Sequence, residues 1–145
     1  MTSASPMLTN RSMPPGVFIP ELAYPDVTAA SEWLCRVFGF RERLRIGSHR
    51  VQLVYEGASM VVMQCDNASA PAGHTHSIMV RVADIEEHHA HVRASGVLVD
   101  HPPVDFSYGE RQYTVSDIGG HRWTFSQSIA DIAPADWGGT LVDAH

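Results

Sequence analysis

The chain has 145 residues, of which 44% are hydrophobic, and its formal net charge is −6 at pH 7. These values are typical of one globular domain with a buried core, and the acidic charge disfavours a nucleic-acid surface, which needs clustered Lys and Arg. No apolar run reaches the roughly 18 residues of a membrane helix, and the polar, Pro-rich start lacks the apolar core of a signal peptide. We therefore expect a cytoplasmic protein with a flexible tail over residues 1–16.

The first half of the chain predicts a strand, a helix and three short strands. A strand over residues 17–24 is followed by Asp26, a preferred N-cap residue, and apolar residues then recur at helical spacing until Gly39, a common helix stop. Alternating runs between turn residues predict the three strands. These cover about residues 42–46, 49–55 and 58–64. We assign residues 17–65 to a first βαβββ module.

The second half of the chain repeats this order. Residues 66–76 have the small, polar composition of a linker. A strand over 77–82 follows, and Asp84 with Glu87 makes a capping pattern for a second helix that stops at Gly96. Three more strands are predicted, at about residues 98–101, 112–116 and 121–127. Residues 77–127 therefore form a second module, and residues 128–145 form an extended C-terminal tail.

Alternation along the predicted strands of the second module separates an apolar face from a polar one. The apolar set, predicted to pack on the helices, is Ile78, Val80, Val82, Trp123 and Phe125. The polar set is Ser77, Met79, Arg81, Arg122, Thr124 and Ser126. A face this polar fits the wall of a ligand cleft, and the alternative is an exposed sheet face, which is common in antiparallel sheets.

With these elements in place, the chain resembles the vicinal oxygen chelate superfamily, which groups glyoxalase I, bleomycin-resistance proteins and extradiol dioxygenases. The resemblance covers about residues 17–127. It rests on the two Asp-led helices, on residues 33–40, on the run 117–125, which is similar to a family hairpin, and on Tyr-Gly-Glu-Arg at 108–111. It implies an α+β fold of two paired βαβββ modules that form a U-shaped mixed sheet around a central cavity, and it implies a homodimer.

In metal-dependent members of that superfamily, four ligands come from fixed positions on the strands. The resemblance maps three of these positions onto Ile19, Ser77 and Thr124, and Gln64 is the candidate for the fourth. An Ile side chain cannot coordinate a cation, and hydroxyl groups are poor ligands beside imidazole or carboxylate. We therefore predict no metal and no other cofactor, unless the chain is a metal-dependent enzyme.

Histidines are abundant, with nine in the chain, but they form no familiar metal motif. His88, His89 and His91 fall on the second helix without an HExxH pattern, so we expect them to be solvated. His76 differs because a one-residue slip of its strand would turn it into the cavity, where Glu21 would be its carboxylate partner.

Other reactive groups also lack a recognised catalytic motif. His76, Glu21 and Glu110 are the candidate general bases, although Glu110 and its neighbour Arg111 could instead form a structural ion pair. The two cysteines are too few for a disulfide framework in a domain of this size, and we expect both to be buried free thiols. No catalytic residue is assigned.

Aromatic and thioether side chains favour the binding of an organic ligand. The predicted ligand-binding residues are Glu21, Tyr55, Met63, Met79, Arg81, Phe106, Tyr108, Arg111, Tyr113, Arg122 and Thr124. The first hypothesis is a metal-free binder of a small aromatic or antibiotic-like molecule, without nucleic-acid or membrane partners. The alternatives are a lyase, isomerase or dioxygenase with a divalent metal as Lewis acid, and an interaction module without a small ligand.

Overall fold

The computed structural model describes residues 7–65 and 75–142. The described residues divide into two units: residues 7–35 with 39–65, and residues 36–38 with 75–142. Most of the predicted linker at 66–76 lies outside the described residues. Within the described part of the chain, no helix is long and apolar enough to span a membrane.

The first unit contains one mixed sheet and most of the first helix. Its elements are β1 (Glu21–Tyr24), α1 (Val27–Phe38), β2 (Arg41–Ile46), β3 (Arg50–Tyr55) and β4 (Ala58–Gln64). The strand order is β1-β4-β3-β2, with β1 parallel to β4 and the other pairs antiparallel. As predicted, Asp26 caps α1 by accepting a hydrogen bond from the Ala29 N–H at 3.0 Å, and Gly39 ends it at φ 82°. β1 starts at Glu21, four residues later than predicted.

The second unit repeats the arrangement. Its elements are β5 (Ile78–Arg81), α2 (Ile85–Ala94), β6 (Val104–Asp105), β7 (Glu110–Ser116), β8 (Arg122–Ser128) and a 3-10 helix (Pro134–Trp137). The strand order is β5-β8-β7-β6, with β5 parallel to β8. The prediction of a strand at 98–101 is wrong, because the edge strand β6 follows Pro102 and Pro103 instead. Proline has no N–H to donate, so it fits directly before an edge strand.

The two βαβββ modules, each with a four-stranded mixed sheet, confirm the predicted fold class. Both predicted tails are in part bound to their own unit. Residues 10–16 lie against the first sheet and accept hydrogen bonds from its side chains. In the second unit the Ile129 N–H donates to the Gly109 carbonyl at 2.8 Å. The prediction of a flexible N-terminal tail therefore does not hold for residues 10–16.

Candidate functional site

The candidate site is the face of the second sheet that points away from α2. Strand register places Met79 beside Thr124, and Arg81 beside Ser126, which also pairs with Gln112. Side chains of paired residues share a face, and successive residues alternate between faces. The split between an apolar and a polar face is therefore confirmed for β5 and β8. We call this surface the second polar face.

The opposite face of the second sheet packs against α2. The N–H of Ile85, at the start of the helix, donates to the Gln127 side chain at 2.8 Å. Trp123 and Phe125, predicted for the helix side, are 2% and 0% exposed. Phe125 also lies edge-on to Phe38, with ring centroids 4.9 Å apart. This apolar side fixes the backbone that presents the second polar face.

A chain of hydrogen bonds runs across the second polar face. The Tyr108 hydroxyl donates to Gln112 Oε1 at 3.2 Å, and Gln112 Nε2 donates to Ser126 Oγ at 3.0 Å. Ser126 Oγ in turn donates to Glu110 Oε1 at 2.6 Å. Because Ser126 is 0% exposed and satisfied on both sides, the chain holds these side chains in fixed rotamers.

Glu110 and Arg81 give the second polar face its charges. Burial raises the pKa of the Glu110 carboxyl, but hydrogen bonds from Ser126 and Ser128 and the charge of Arg81 outweigh it, so the pKa lies below its usual value. Arg81 Nη2 donates to Ser128 Oγ at 3.1 Å. The face therefore carries an ionised carboxylate and a guanidinium at neutral pH, both oriented by serine hydroxyls.

Three aromatic rings border the second polar face, and we call Phe106, Tyr108 and Trp137 the aromatic stack. Phe106 and Tyr108 are nearly parallel, at 11° with ring centroids 5.4 Å apart. Trp137, from the 3-10 helix, lies 5.5 Å from Tyr108 at 59°. Phe106 and Trp137 are 42% and 44% exposed, so part of each side chain is accessible to solvent.

The stack depends on a tight turn between β6 and β7. The Phe106 N–H donates to the Glu110 carbonyl at 2.8 Å, and the Gly109 N–H donates to the Phe106 carbonyl at 3.1 Å. Gly109 has φ 86°, and a Cβ there would collide with the Ala130 carbonyl. The turn thus needs glycine to bring the C-terminal segment, and with it Trp137, against Tyr108. Phe106 and Tyr108 were predicted from the sequence as ligand-binding residues, whereas Trp137 was not.

Two predicted ligand residues of the second unit lie on the wrong face. Arg111 Nε donates to Asp105 Oδ1 at 2.6 Å, and Arg111 Nη1 lies 3.7 Å from Glu86 Oε1 of α2. The Arg111 side chain therefore points to the helix side. Glu110 points to the opposite side, and the alternative of a Glu110–Arg111 ion pair is wrong. Tyr113 is 1% exposed beneath α2 and belongs to the core.

The predicted ligand residues of the first unit divide in the same way. Tyr55 contacts Phe40 edge-on, with ring centroids 5.5 Å apart, and register places it on the apolar face of its sheet. Glu21 and Met63 lie on the polar face, where Glu21 pairs with Arg50 at 2.6 Å. In the second unit Met79, Arg81, Arg122 and Thr124 all lie on the second polar face.

The expectation of solvated histidines on the second helix is wrong for His88 and His89, whereas His91 is exposed as predicted. His88 lies against Phe125, with ring centroids 4.2 Å apart, and its Nδ1 hydrogen-bonds the Tyr113 hydroxyl. His89 is 8% exposed, and His91 Nε2 donates to the Arg36 carbonyl at 2.9 Å. His88 and His89 fall on the same side of α2 as its buried residues Ile85 and Val92, so helical spacing turns them inward. Burial lowers the pKa of His88 to about 4.

His76 does not face the second polar face either. It is exposed, and its ring lies 5.9 Å from that of His121, which is 8% exposed next to the apolar side of β8. His76 comes two residues before β5 begins. The one-residue slip that would have turned it toward the polar face is therefore not seen.

The positions that carry metal ligands in related proteins do not suit a metal here. Ile19 has no donor atom, Ser77 and Gln64 are exposed, and Thr124 Oγ1 shares a hydrogen bond with Thr114 Oγ1 at 3.1 Å. Within residues 7–65 and 75–142, no group of three His, Cys, Asp or Glu side chains is arranged to hold a metal ion. This donor set does not fit the metal chemistry of the fold.

Both cysteines are free thiols, as predicted, but they are half-buried, whereas full burial was predicted. Burial raises the pKa of the Cys35 thiol, and the nearby charge of Glu42 adds to the shift. A thiol with a raised pKa is a poor nucleophile at neutral pH.

Two βαβββ modules with mixed four-stranded sheets define the vicinal oxygen chelate class of fold. The chain belongs to the glyoxalase/bleomycin resistance protein/dioxygenase superfamily, whose family model matches residues 17–125. It is similar to TioX from Micromonospora sp. ML1, with 35% identity over 81% of this chain and 100% of that one, at a TM-score of 0.65. No curated protein matches the chain significantly.

More distant structures show the same fold. A glyoxalase/bleomycin resistance protein/dioxygenase from Nocardioides is 20% identical over 87% of this chain and 90% of its own, with a TM-score of 0.64. The fosfomycin resistance protein FosX from Listeria monocytogenes is 17% identical over 79% and 94%, with a TM-score of 0.63. At these identities the likeness concerns architecture only.

Proposed function

We propose that the chain binds a small aromatic organic molecule on the second polar face, against the aromatic stack. The observation that carries the proposal is the contact between three rings, two of them more than 40% exposed, at the border of a polar surface. Single exposed apolar residues are ordinary, but an apolar platform with a few convergent polar groups is typical of ligand sites.

The aromatic stack is organised before a ligand arrives. The hydrogen bond from the Tyr108 hydroxyl to Gln112 fixes the middle ring, so little rotamer entropy is lost on binding. Each ring that stacks on a planar ligand contributes about 0.5–1.5 kcal/mol beyond the area it buries. Arg81, Glu110 and Thr124 supply the charged and hydroxyl groups that would orient the ligand.

Ligand titrations test the proposal. Planar aromatic compounds are titrated into the full chain and followed by calorimetry. They include aromatic antibiotics, because the superfamily contains bleomycin resistance proteins. Trp137→Ala is expected to weaken binding about tenfold, or about 1.4 kcal/mol. Leu98→Ala, an exposed apolar residue of the same unit at 88%, is the control and should leave the affinity unchanged. Equal loss in both variants would contradict a site at the stack.

We propose further that binding uses protein side chains without a metal. The support is the donor set at the family's ligand positions, which includes an aliphatic Ile19 and an internally bonded Thr124. Metal analysis of the purified full chain, before and after dialysis against a chelator, tests this part. A stoichiometric divalent metal that survives dialysis would contradict it, while the aromatic site would still be judged by the titrations.

A further inference from the structure

The polar face of the first sheet, which we call the first polar face, is covered by the chain's own residues 10–16. Three side chains of the sheet donate hydrogen bonds to backbone carbonyls of this segment. The bonds are from Arg43 to the Arg11 carbonyl (2.7 Å), from Gln52 to the Ser12 carbonyl (2.9 Å) and from Ser59 to the Pro15 carbonyl (2.6 Å). The donors belong to β2, β3 and β4, so the segment crosses three strands.

The sheet is shaped to present these donors. A β-bulge between Glu42 and Leu44 inserts Arg43 as an extra residue, and bulges re-aim side chains in this way. The Arg43 guanidinium also donates to Gln52 Oε1. Gln52 is 5% exposed and uses both ends of its amide. Val61, which shares this face, is 3% exposed.

Only one side chain of the segment is buried. Pro14 is buried, whereas Met13 and Pro15 beside it are exposed. The first polar face therefore binds carbonyl groups along the segment, and Pro14, between the bonded Ser12 and Pro15, is the side chain that is removed from solvent. Hydrogen bonds to the main chain of an extended segment are a recurring source of affinity in peptide recognition.

We propose that the first polar face is a peptide-binding site and that residues 10–16 are its internal ligand. An external ligand of this site is an extended peptide, or a peptide-like molecule, that presents several backbone carbonyls and a prolyl ring. Such a ligand competes with the internal segment. The site lies in the first unit and does not depend on aromatic binding at the second polar face.

The tether sets a limit on the affinity of this site. The segment is joined to β1 by residues 17–20 only, and a short flexible tether gives an effective concentration on the order of millimolar. For the segment to be bound in the intact chain, the same sequence supplied as a free peptide must bind with a Kd of about 1 mM or lower.

The experiment uses a fluorescent synthetic peptide of residues 8–17 and full-length protein, with fluorescence anisotropy as the readout. Pro14→Ala weakens the internal segment but leaves the face intact, so it should raise the affinity for the free peptide about tenfold. Arg43→Ala removes a donor that the internal segment and the free peptide both use. It is therefore added to the Pro14→Ala chain, where the internal segment competes less, and there it should lower the affinity for the free peptide about tenfold. Met13→Ala, at an exposed neighbouring position, is the matched control and should behave as the unmodified chain.

A gain in affinity for Pro14→Ala that the added Arg43→Ala then removes supports the site. A Pro14→Ala chain that binds the peptide no more tightly than the unmodified chain, or an added Arg43→Ala that leaves the affinity unchanged, would overturn it. If either variant does not unfold cooperatively, amide hydrogen exchange of residues 10–16 in the unmodified chain tests the proposal instead. Unlabelled peptide in excess should speed that exchange, and unchanged exchange would overturn the proposal.

Discussion

At Asp117 a single buried carboxylate holds both a turn and the largest core side chain. Its Oδ1 accepts hydrogen bonds from the N–H groups of Gly119 (2.9 Å) and His121 (3.0 Å), and its Oδ2 accepts from Trp123 Nε1 (2.9 Å). Asp117→Ala removes this shared acceptor from the turn and from Trp123, and it should cost about 3 kcal/mol of unfolding free energy in urea titrations. Asp131→Ala, at an exposed position, is the control, and a loss below about 1 kcal/mol at Asp117 would contradict this role.

Gly109 supports the aromatic stack through space that only glycine leaves free. Gly109→Ala meets both backbone strain at φ 86° and the Ala130 carbonyl, whereas Gly57→Ala meets strain at φ 79° with no atom nearby. Strain of this kind costs about 1–2 kcal/mol. We expect Gly109→Ala to exceed Gly57→Ala in lost stability and to weaken aromatic binding, because Trp137 is displaced. Thermal unfolding and calorimetric titration of both variants check this, and equal losses would refute it.

Helix α2 makes the stability of the protein depend on pH. His88 has a pKa of about 4 in the folded chain, mainly because burial disfavours its charged form, and about 6.5 when unfolded. The unfolded state therefore takes up the proton first. The contribution of His88 is complete above about pH 6.5 and is lost as the pH falls toward 4. Allowing for partial exposure, the loss is about 2 kcal/mol.

Urea titrations at neutral and acidic pH measure this contribution. The drop in stability between the two should be about 2 kcal/mol smaller for His88→Phe than for the unmodified chain. The exposed His49 serves as the control, and His49→Phe should keep the full drop. An unchanged drop in His88→Phe would mean that other groups facing the helix, such as His89, whose pKa is also lowered by burial, dominate the effect.

Strands and helices were predicted correctly where a periodic pattern extends over several residues. β4 was predicted at the bounds it has, and both helices start after the predicted Asp caps. The two-residue β6 was missed because so short a run carries no alternation. Arg111 and Tyr113 were selected by residue type, although their spacing from Val115, a partner of Trp123, places them on the helix side. Alternation was thus a better guide to the site than side-chain chemistry.

Contacts between segments that lie far apart along the chain could not be predicted from the sequence. Residues 10–16 and the C-terminal segment have no periodic pattern, so their composition predicted tails. Their positions depend on side chains far along the chain, such as Gln52, which binds the Ser12 carbonyl, and Tyr108, which meets Trp137. Such long-range contacts follow from tertiary structure and leave no local signal. The two segments that were predicted as tails therefore supply parts of both candidate sites.

At the scale of the whole molecule, the chain is predicted to form a homodimer. Val17, Phe18 and Leu98 are 75%, 93% and 88% exposed, and association would remove such apolar surface from water. Sedimentation equilibrium should give twice the 15.9 kDa chain mass. We propose that Phe18 lies in the dimer interface. In a twofold interface each substitution acts in both chains. Phe18→Ser should therefore cost about 1.4 kcal/mol per copy and weaken association about 100-fold. A mass of one chain at every concentration would exclude the dimer, and an unchanged dimer in Phe18→Ser would place its interface elsewhere.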